Sequence, residues 1–299
     1  MTEERKGELF ILGETVLWSL FPIITVLTFA GIMPLVSLAW TTGISTFFFL
    51  AVMLAKGTWR EVMNVRAWKY AALITLFIGV GFYGLFYLGL QYTTPGNAAI
   101  LALCESLTTY LFFNLLRGEK FPVEHIIGAC FMLFGAFIVV GKDFTSLALG
   151  DFLILAAMCV SPFGNMYQKK CREIVSSETV MFLRSLLSTF AIGALVLLFG
   201  QSLSLAGSEA VWPFLILNGI VIFGLSKLFW IEGIHRISVT KAILLQSITP
   251  LSTLFFAWLL LSQAPTVWQI SSLIPFILGV ILLTANFRVT RLRNPFELK

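Results

Sequence analysis

An apolar segment of about 20 residues recurs ten times along this chain, with little between one copy and the next. A helix of that length crosses the roughly 30 Å hydrocarbon core of a bilayer. Within that core every backbone N–H and C=O must be satisfied inside the protein, so runs of this kind fold as helices. The segments fall at 9–29, 34–55, 69–90, 95–116, 124–141, 151–168, 179–200, 211–232, 239–261 and 268–287. The connections leave no room for a soluble domain. Composition agrees, with 58% of the 299 residues hydrophobic and 12% charged, where a soluble domain is about half apolar and a quarter charged.

Basic residues in short loops set the orientation of such a chain. Of its 20 lysines and arginines, all but Lys142, Arg184, Lys227 and Lys241 sit on the side that holds both termini. That side is read as cytoplasmic, which places the protein in the cell's inner (plasma) membrane as a multi-pass protein. The net charge of +5 follows from this bias and is no footprint of nucleic acid. The opening MTEERKGELF mixes acids with bases and leads into an apolar run without an A-x-A-like site, so the first segment reads as a retained span. Cys104, Cys130, Cys159 and Cys171 form no CxxC pair and lack metal-ligand spacing.

Shifting the sequence by about 144 residues lays its second half over its first. FYGLFYLGL (82–90) then meets SKLFWIEGI (226–234), and AAILALCESLTTYLF (98–112) meets AILLQSITPLSTLFF (242–256). With one residue's adjustment GELFIL (7–12) meets GDFLIL (150–155). Each half holds five spans, an odd number, so the halves must cross the membrane in opposite senses. The expected fold is an all-α integral membrane protein of ten helices in two inverted five-helix repeats, residues 1–145 and 146–299. Inverted repeats are common in secondary transporters, which bind substrate near the midplane between them.

Three stretches carry a family resemblance: LWSLFPIIT (17–25), NAAILALCESLTTYLFFNLLRGEKF (97–121) and TKAILLQSITPLSTLFFAWLLLSQAPT (240–266). They resemble the ten-helix family with two EamA domains in the drug/metabolite transporter superfamily, and the likeness covers nearly the whole chain. Arg184 in FLRSLLS resembles the family's arginine in the second helix of a repeat. The pattern departs at Ser106, where the first half lacks the proline that the second keeps as Pro250. It departs again where Gly118-Glu119 becomes Ser262-Gln263, and where Trp40 stands opposite Arg184. The resemblance implies export of small metabolites such as amino acids by alternating access, and does not fix the substrate.

A charge inside a span is costly and faces protein or water, so such residues are the first site candidates. Glu105 lies about ten residues into the fourth span, roughly 15 Å deep. Asn97 and Thr108 share its helix face. Its repeat mate is Thr249, beside Pro250, which removes a backbone hydrogen bond. The competing reading of Glu105 is a protonated acid bonded to a neighbouring helix for packing alone. Glu14 and Lys227 lie about five residues from the cytoplasmic end, Arg184 is similarly placed and Lys241 is shallower. Snorkelling to the interface accounts for such cations equally well. Together they would form a vestibule attractive to a carboxylate, and Glu14 has both Arg184 and Lys227 as possible partners.

Lys227 has Tyr83 as its repeat mate. Trp18, Tyr83, Tyr87 and Trp230 fall on helices that line the pathway in the family resembled, with packing as the competing role. Trp18 precedes Pro22, a kink position, and its equivalent is Ser161, next to Pro162, with Asn165 one turn on. Tyr92, Trp59 and Trp68 read as interfacial anchors.

No GxSxG, HExxH or Walker loop is present, and His125 and His235 have no metal-ligand companions, so neither an enzyme nor a cofactor is expected. The partners expected are a small-molecule metabolite, the lipid bilayer and protons as a coupling ion, with the protein a monomer or homodimer. Two other readings stay open: proton-coupled efflux of cationic drugs, which would also use a buried carboxylate, and a membrane protein that transports nothing.

Overall fold

The computed structural model describes residues 2–117, 123–140, 149–237, 242 and 245–284. Lys120, Lys142, Lys241, Gly118-Glu119 and the C-terminal basic residues Arg288, Arg291, Arg293 and Lys299 lie outside them. Every regular element among the described residues is a helix. The chain opens with α1 (Glu3–Ser19) and α2 (Phe21–Thr28), interrupted at Leu20. Pro22 has no N–H for the carbonyl of Trp18, and the Leu20 N–H turns onto Leu17 O at 3.2 Å. Next comes α3 (Pro34–Lys56), ended by Gly57 at φ 72°, a left-handed conformation that glycine adopts without strain.

The third apolar segment is α4 (Val65–Ile74), a π-helical stretch at Thr75–Phe82 and α5 (Tyr83–Leu90). Then α6 (Pro95–Leu101) and α7 (Cys104–Arg117) break at Ala102 and Leu103, followed by α8 (Val123–Val140), α9 (Leu149–Arg172) and α10 (Ser177–Leu198). A second π-helical stretch, Asn218–Ser226, separates α11 (Trp212–Leu217) from α12 (Lys227–Arg236). The chain closes with α13 (Thr249–Leu261) and α14 (Val267–Thr284). The two π-helical stretches sit at positions related by the sequence offset.

Among the described residues seven helical stretches are long and apolar enough to cross a membrane: Glu3–Thr28, Pro34–Lys56, Val65–Leu90, Val123–Val140, Leu149–Arg172, Ser177–Leu198 and Glu209–Gly233. Thr249–Leu261 and Val267–Leu283 are apolar but shorter, and the expected span at 95–116 is divided between α6 and α7. Large apolar side chains such as Phe47, Phe190 and Leu198 stay exposed on the outside of the bundle. A soluble monomer rarely leaves so much apolar surface in water, whereas lipid solvates it.

Helix α3 packs along α10, α8 along α14, α1 on α12, α9 on α5 and on the π-helical stretch before it, and α6 on α13. The α8–α14 crossing is close because glycine leaves room for it. A Cβ added at Gly128 would lie 2.9 Å from Leu282 Cβ and 3.0 Å from Gly279 O. The α3–α10 seam is stitched by hydroxyls, with Ser45 and Ser185 3.3 Å apart and Thr189 donating to Thr42 at 3.1 Å.

Beyond the helix ends a polar clasp joins the turn after α3 to the start of α10. Glu61 accepts from the Ser176 N–H at 2.7 Å and from Thr179 Oγ1 at 2.8 Å. Partial burial works to raise the Glu61 pKa, but these hydrogen bonds to its charged form outweigh burial and hold it below the ordinary glutamate value. Glu178, on the first turn of α10, takes Lys56 Nζ at 3.4 Å and Thr58 Oγ1 at 3.3 Å.

Candidate functional site

A cavity of about 550 Å³ lies among the helices, within the range of small-ligand sites. Its wall brings together Trp18, Tyr83, Glu105, Asn165, Lys227, Trp230 and Thr249 of the residues singled out in the sequence. Arg184 and Gln246 join them, and Lys169 and Arg172 stand on the rim.

Glu105 opens α7 just past the break at Ala102 and Leu103. Ser161 Oγ donates to its Oε1, and Asn165 Nδ2 donates to the same oxygen at 3.1 Å and to Ser161 Oγ at 3.1 Å. Ser161 and Asn165 are one turn apart on α9, so both face α7. A second bond, Thr108 Oγ1 to Met158 O at 2.7 Å, fixes α7 against α9 one turn on. The carboxylate is therefore held by polar donors while its residue still lines the cavity.

Lys227 begins α12 where the π-helical stretch ends. Its Nζ lies 3.4 Å from Glu14 Oε1 and 3.1 Å from the centroid of the Trp18 ring. Glu14 is fully buried and takes a second donor, Gln246 Nε2, at 2.7 Å on Oε2. Of the two cations open to Glu14, the structure thus pairs it with Lys227. Trp18 is stacked on Phe21 with centroids 4.4 Å apart, so the cation rests on a fixed aromatic face. Next to the main cavity a recess of about 30 Å³ opens between Phe21, Pro22, Phe82 and Phe86.

Arg184 stands on α10 with 4% of its surface exposed. Its guanidinium lies 5.8 Å from the Tyr83 ring centroid, and Nη2 has no hydrogen-bond partner. No carboxylate lies within ion-pair distance of it among the described residues.

Toward the other ends of the same helices the polar groups close on one another. Asn218 Nδ2 donates to Thr25 Oγ1 at 3.1 Å and to Tyr87 OH at 3.0 Å, and all three residues are fully buried. Gln269 Nε2 donates to Asn97 Oδ1 at 2.7 Å and to Thr94 Oγ1 at 3.3 Å. Tyr87 and Asn97 accordingly lie in this closed region, and Glu14 lies behind the wall, away from the cavity lining.

Gln246, Gln269 and Asn218 are additions to the residues the sequence singles out, whereas Ser161 and Arg184 are among them. The signal for Gln246 was an amide inside an apolar helix that also carries Pro250. No local signal marks Gln269 or Asn218 as partners of Asn97 and Tyr87. Among the described residues no cluster of His, Cys, Asp and Glu side chains is arranged to hold a metal ion.

Two stretches, 5–141 and 148–285, match the EamA-like transporter family. The uncharacterized transporter YyaM of Bacillus subtilis is 22% identical over 273 residues, 86% of this chain and 87% of its own. The aromatic amino acid exporter YddG of Ancylobacter novellus is 27% identical over 160 residues, 52% of this chain and 55% of its own. A crystal structure of a protein with 19% sequence identity covers 92% of this chain and 95% of its own with a TM-score of 0.68, a likeness of fold.

Proposed function

Because the chain belongs to the EamA-like transporter family, within the drug/metabolite transporter superfamily, we propose that it is a secondary-active transporter exporting small metabolites such as amino acids by alternating access. One observation carries this reading. A cavity of small-molecule size holds a carboxylate, Glu105, and two cations, Arg184 and Lys227, in a single wall. A zwitterion finds a partner for each of its charges there, and the aromatic rings of Trp18, Tyr83 and Trp230 in the same lining suit an apolar side chain. The relative described as an exporter of aromatic amino acids points the same way. Efflux of cationic drugs fits less well, since the basic groups around the cavity outnumber its single acid.

In this reading Glu105, Lys227, Trp18, Tyr83, Trp230, Asn165 and Thr249 contact substrate, and Glu14 positions Lys227. Tyr87 and Asn97 belong to the closed region, which must open when the transporter turns over. The chain divides into five-helix repeats at 1–145 and 146–299, inverted with respect to each other. The repeat-related π-helical stretches support this division. So does the packing, in which α3 and α10, and likewise α8 and α14, are repeat mates that pair with each other. With the basic loops facing the cytoplasm of the inner membrane, Lys169 and Arg172 mark the cytoplasmic mouth. The site then faces inward, ready to load a metabolite for export. No cofactor takes part, and a proton gradient is the drive.

Export of labelled amino acids from cells expressing the protein tests the reading. Faster efflux than in control cells is expected, reduced at least about tenfold by Glu105→Gln, as befits the loss of a charge-assisted hydrogen bond. Efflux at the control rate for every amino acid would refute it.

A further inference from the structure

We infer that Arg184 is the docking point for a carboxylate group of the transported molecule. This inference rests on the reading of the cavity as a substrate site and adds which atom receives which end of the substrate. The two inner cations of the cavity, Arg184 buried and Lys227 part-buried, differ in how their charge is met. Lys227 has Glu14 Oε1 at 3.4 Å and the Trp18 ring at 3.1 Å from the centroid. Arg184 has the Tyr83 ring at 5.8 Å and the Tyr83 hydroxyl as a hydrogen-bonding neighbour, no carboxylate within ion-pair distance among the described residues, and Nη2 buried and unpartnered.

A buried guanidinium without an anion is costly. Snorkelling does not resolve that cost, because only 4% of Arg184 reaches solvent. The residue lies about seven positions into α10, roughly 10 Å along the helix, beyond the Glu61–Ser176 clasp. A planar fork of N–H donors matches a carboxylate in two-point contact, which an ammonium cannot reproduce.

Three further features of the cavity agree with a zwitterionic guest whose carboxylate lies at this point. Lys169 and Arg172 on the rim attract a negative group toward the entrance. Thr249, in the same cavity lining, holds a hydroxyl oxygen that is buried and unpartnered. Glu105 puts an acid group elsewhere in the lining of the same cavity, with Ser161 and Asn165 both on Oε1. An α-ammonium group then meets Glu105 while the α-carboxylate meets Arg184, and the order of the two poles fixes the direction in which the side chain points.

The test is binding of four related probes to the purified full-length protein in detergent, read by thermal shift and by titration calorimetry. The probes are L-phenylalanine, L-phenylalaninamide, phenethylamine and 3-phenylpropionate. The acid-bearing probes are expected to bind about 10- to 100-fold more tightly than their partners without the acid, the loss expected for one charge-assisted bond. Arg184→Gln abolishes that preference, and Arg184→Lys keeps part of it. Equal binding of phenylalanine and its amide by the wild-type protein would overturn the inference while leaving transport of amino acids intact, and this comparison needs no variant. Binding of 3-phenylpropionate that depends on Arg184, with no binding of phenylalanine, would uphold the carboxylate site and count against amino acids as substrates. Failure of all four probes to bind would overturn both.

Discussion

Residues paired by the 144-residue offset occupy like positions in the fold and yet differ in chemistry. Tyr83 and Lys227 each begin the helix that follows a π-helical stretch, and both line the cavity. One is a phenol and the other a cation locked to Glu14. Glu105 and Thr249 each stand just past a break in the helical path, and both line the cavity. One is an acid capped by Ser161 and Asn165, the other a hydroxyl with no partner. The offset-related positions share a frame, while the charges are distributed unequally across it. The cavity is therefore polar in a directional sense, with Glu105 from the first half and Arg184 and Lys227 from the second.

The largest effect is expected where this inequality is buried most deeply. Replacing Lys227 with methionine leaves the fully buried Glu14 without its cation, which costs about 4 kcal/mol, as breaking buried ion pairs does. Adding Glu14→Gln should return most of that loss. A melting-temperature cycle of the two single variants and the double variant measures it, and strictly additive losses would show that the pair is not coupled.

Where the halves meet as equals, the cost should be equal. Gly128→Leu and Gly279→Leu each force α8 from α14 and should each cost about 3 kcal/mol, because the added Cβ would meet backbone from either side. Gly84→Ala, with nothing within 4 Å of the added Cβ, should instead be neutral or stabilising by up to about 1 kcal/mol. Unequal melting temperatures for the two leucine variants would argue against a shared crossing.

Exchanging the mid-helix residues tests the division of labour itself. Glu105→Thr should lower transport about 100-fold, a loss of about 2.7 kcal/mol. Thr249→Glu in the same chain should not restore it, since Ser161 and Asn165 remain beside position 105. Recovery of flux in the double variant would make the two halves interchangeable.

The smallest effect lies outside the membrane. Glu61 has its pKa lowered by the bonds from Ser176 and Thr179, so its contribution to stability is complete above the ordinary glutamate range. That contribution is lost as pH falls through the lowered value. The melting temperature of the wild-type protein should therefore drop on acidification more steeply than that of Glu61→Gln. Identical pH profiles would remove the clasp from the account.

The helical course was legible because a bilayer-length apolar run is a strong and local signal. Glu105 was legible for the same reason, being a single acid deep in such a run. The break at Ala102 and Leu103 was not, since neither residue is a proline or a glycine and the pattern there is simply apolar. The choice of Lys227 over Arg184 as the partner of Glu14 is made by how α1 packs on α12, across 213 positions of sequence, and no local pattern encodes it. The bonds from Asn218 to Tyr87 and from Gln269 to Asn97 belong to the same class, since both join amides to groups on distant helices.

The most direct measurement is flux of labelled neutral amino acids through purified protein in liposomes without ATP, with Glu105→Gln beside the wild type. The account predicts saturable flux by the wild type, at least about tenfold slower in Glu105→Gln. Wild-type flux no faster than that of empty liposomes, or a Glu105→Gln variant as active as the wild type, would contradict it.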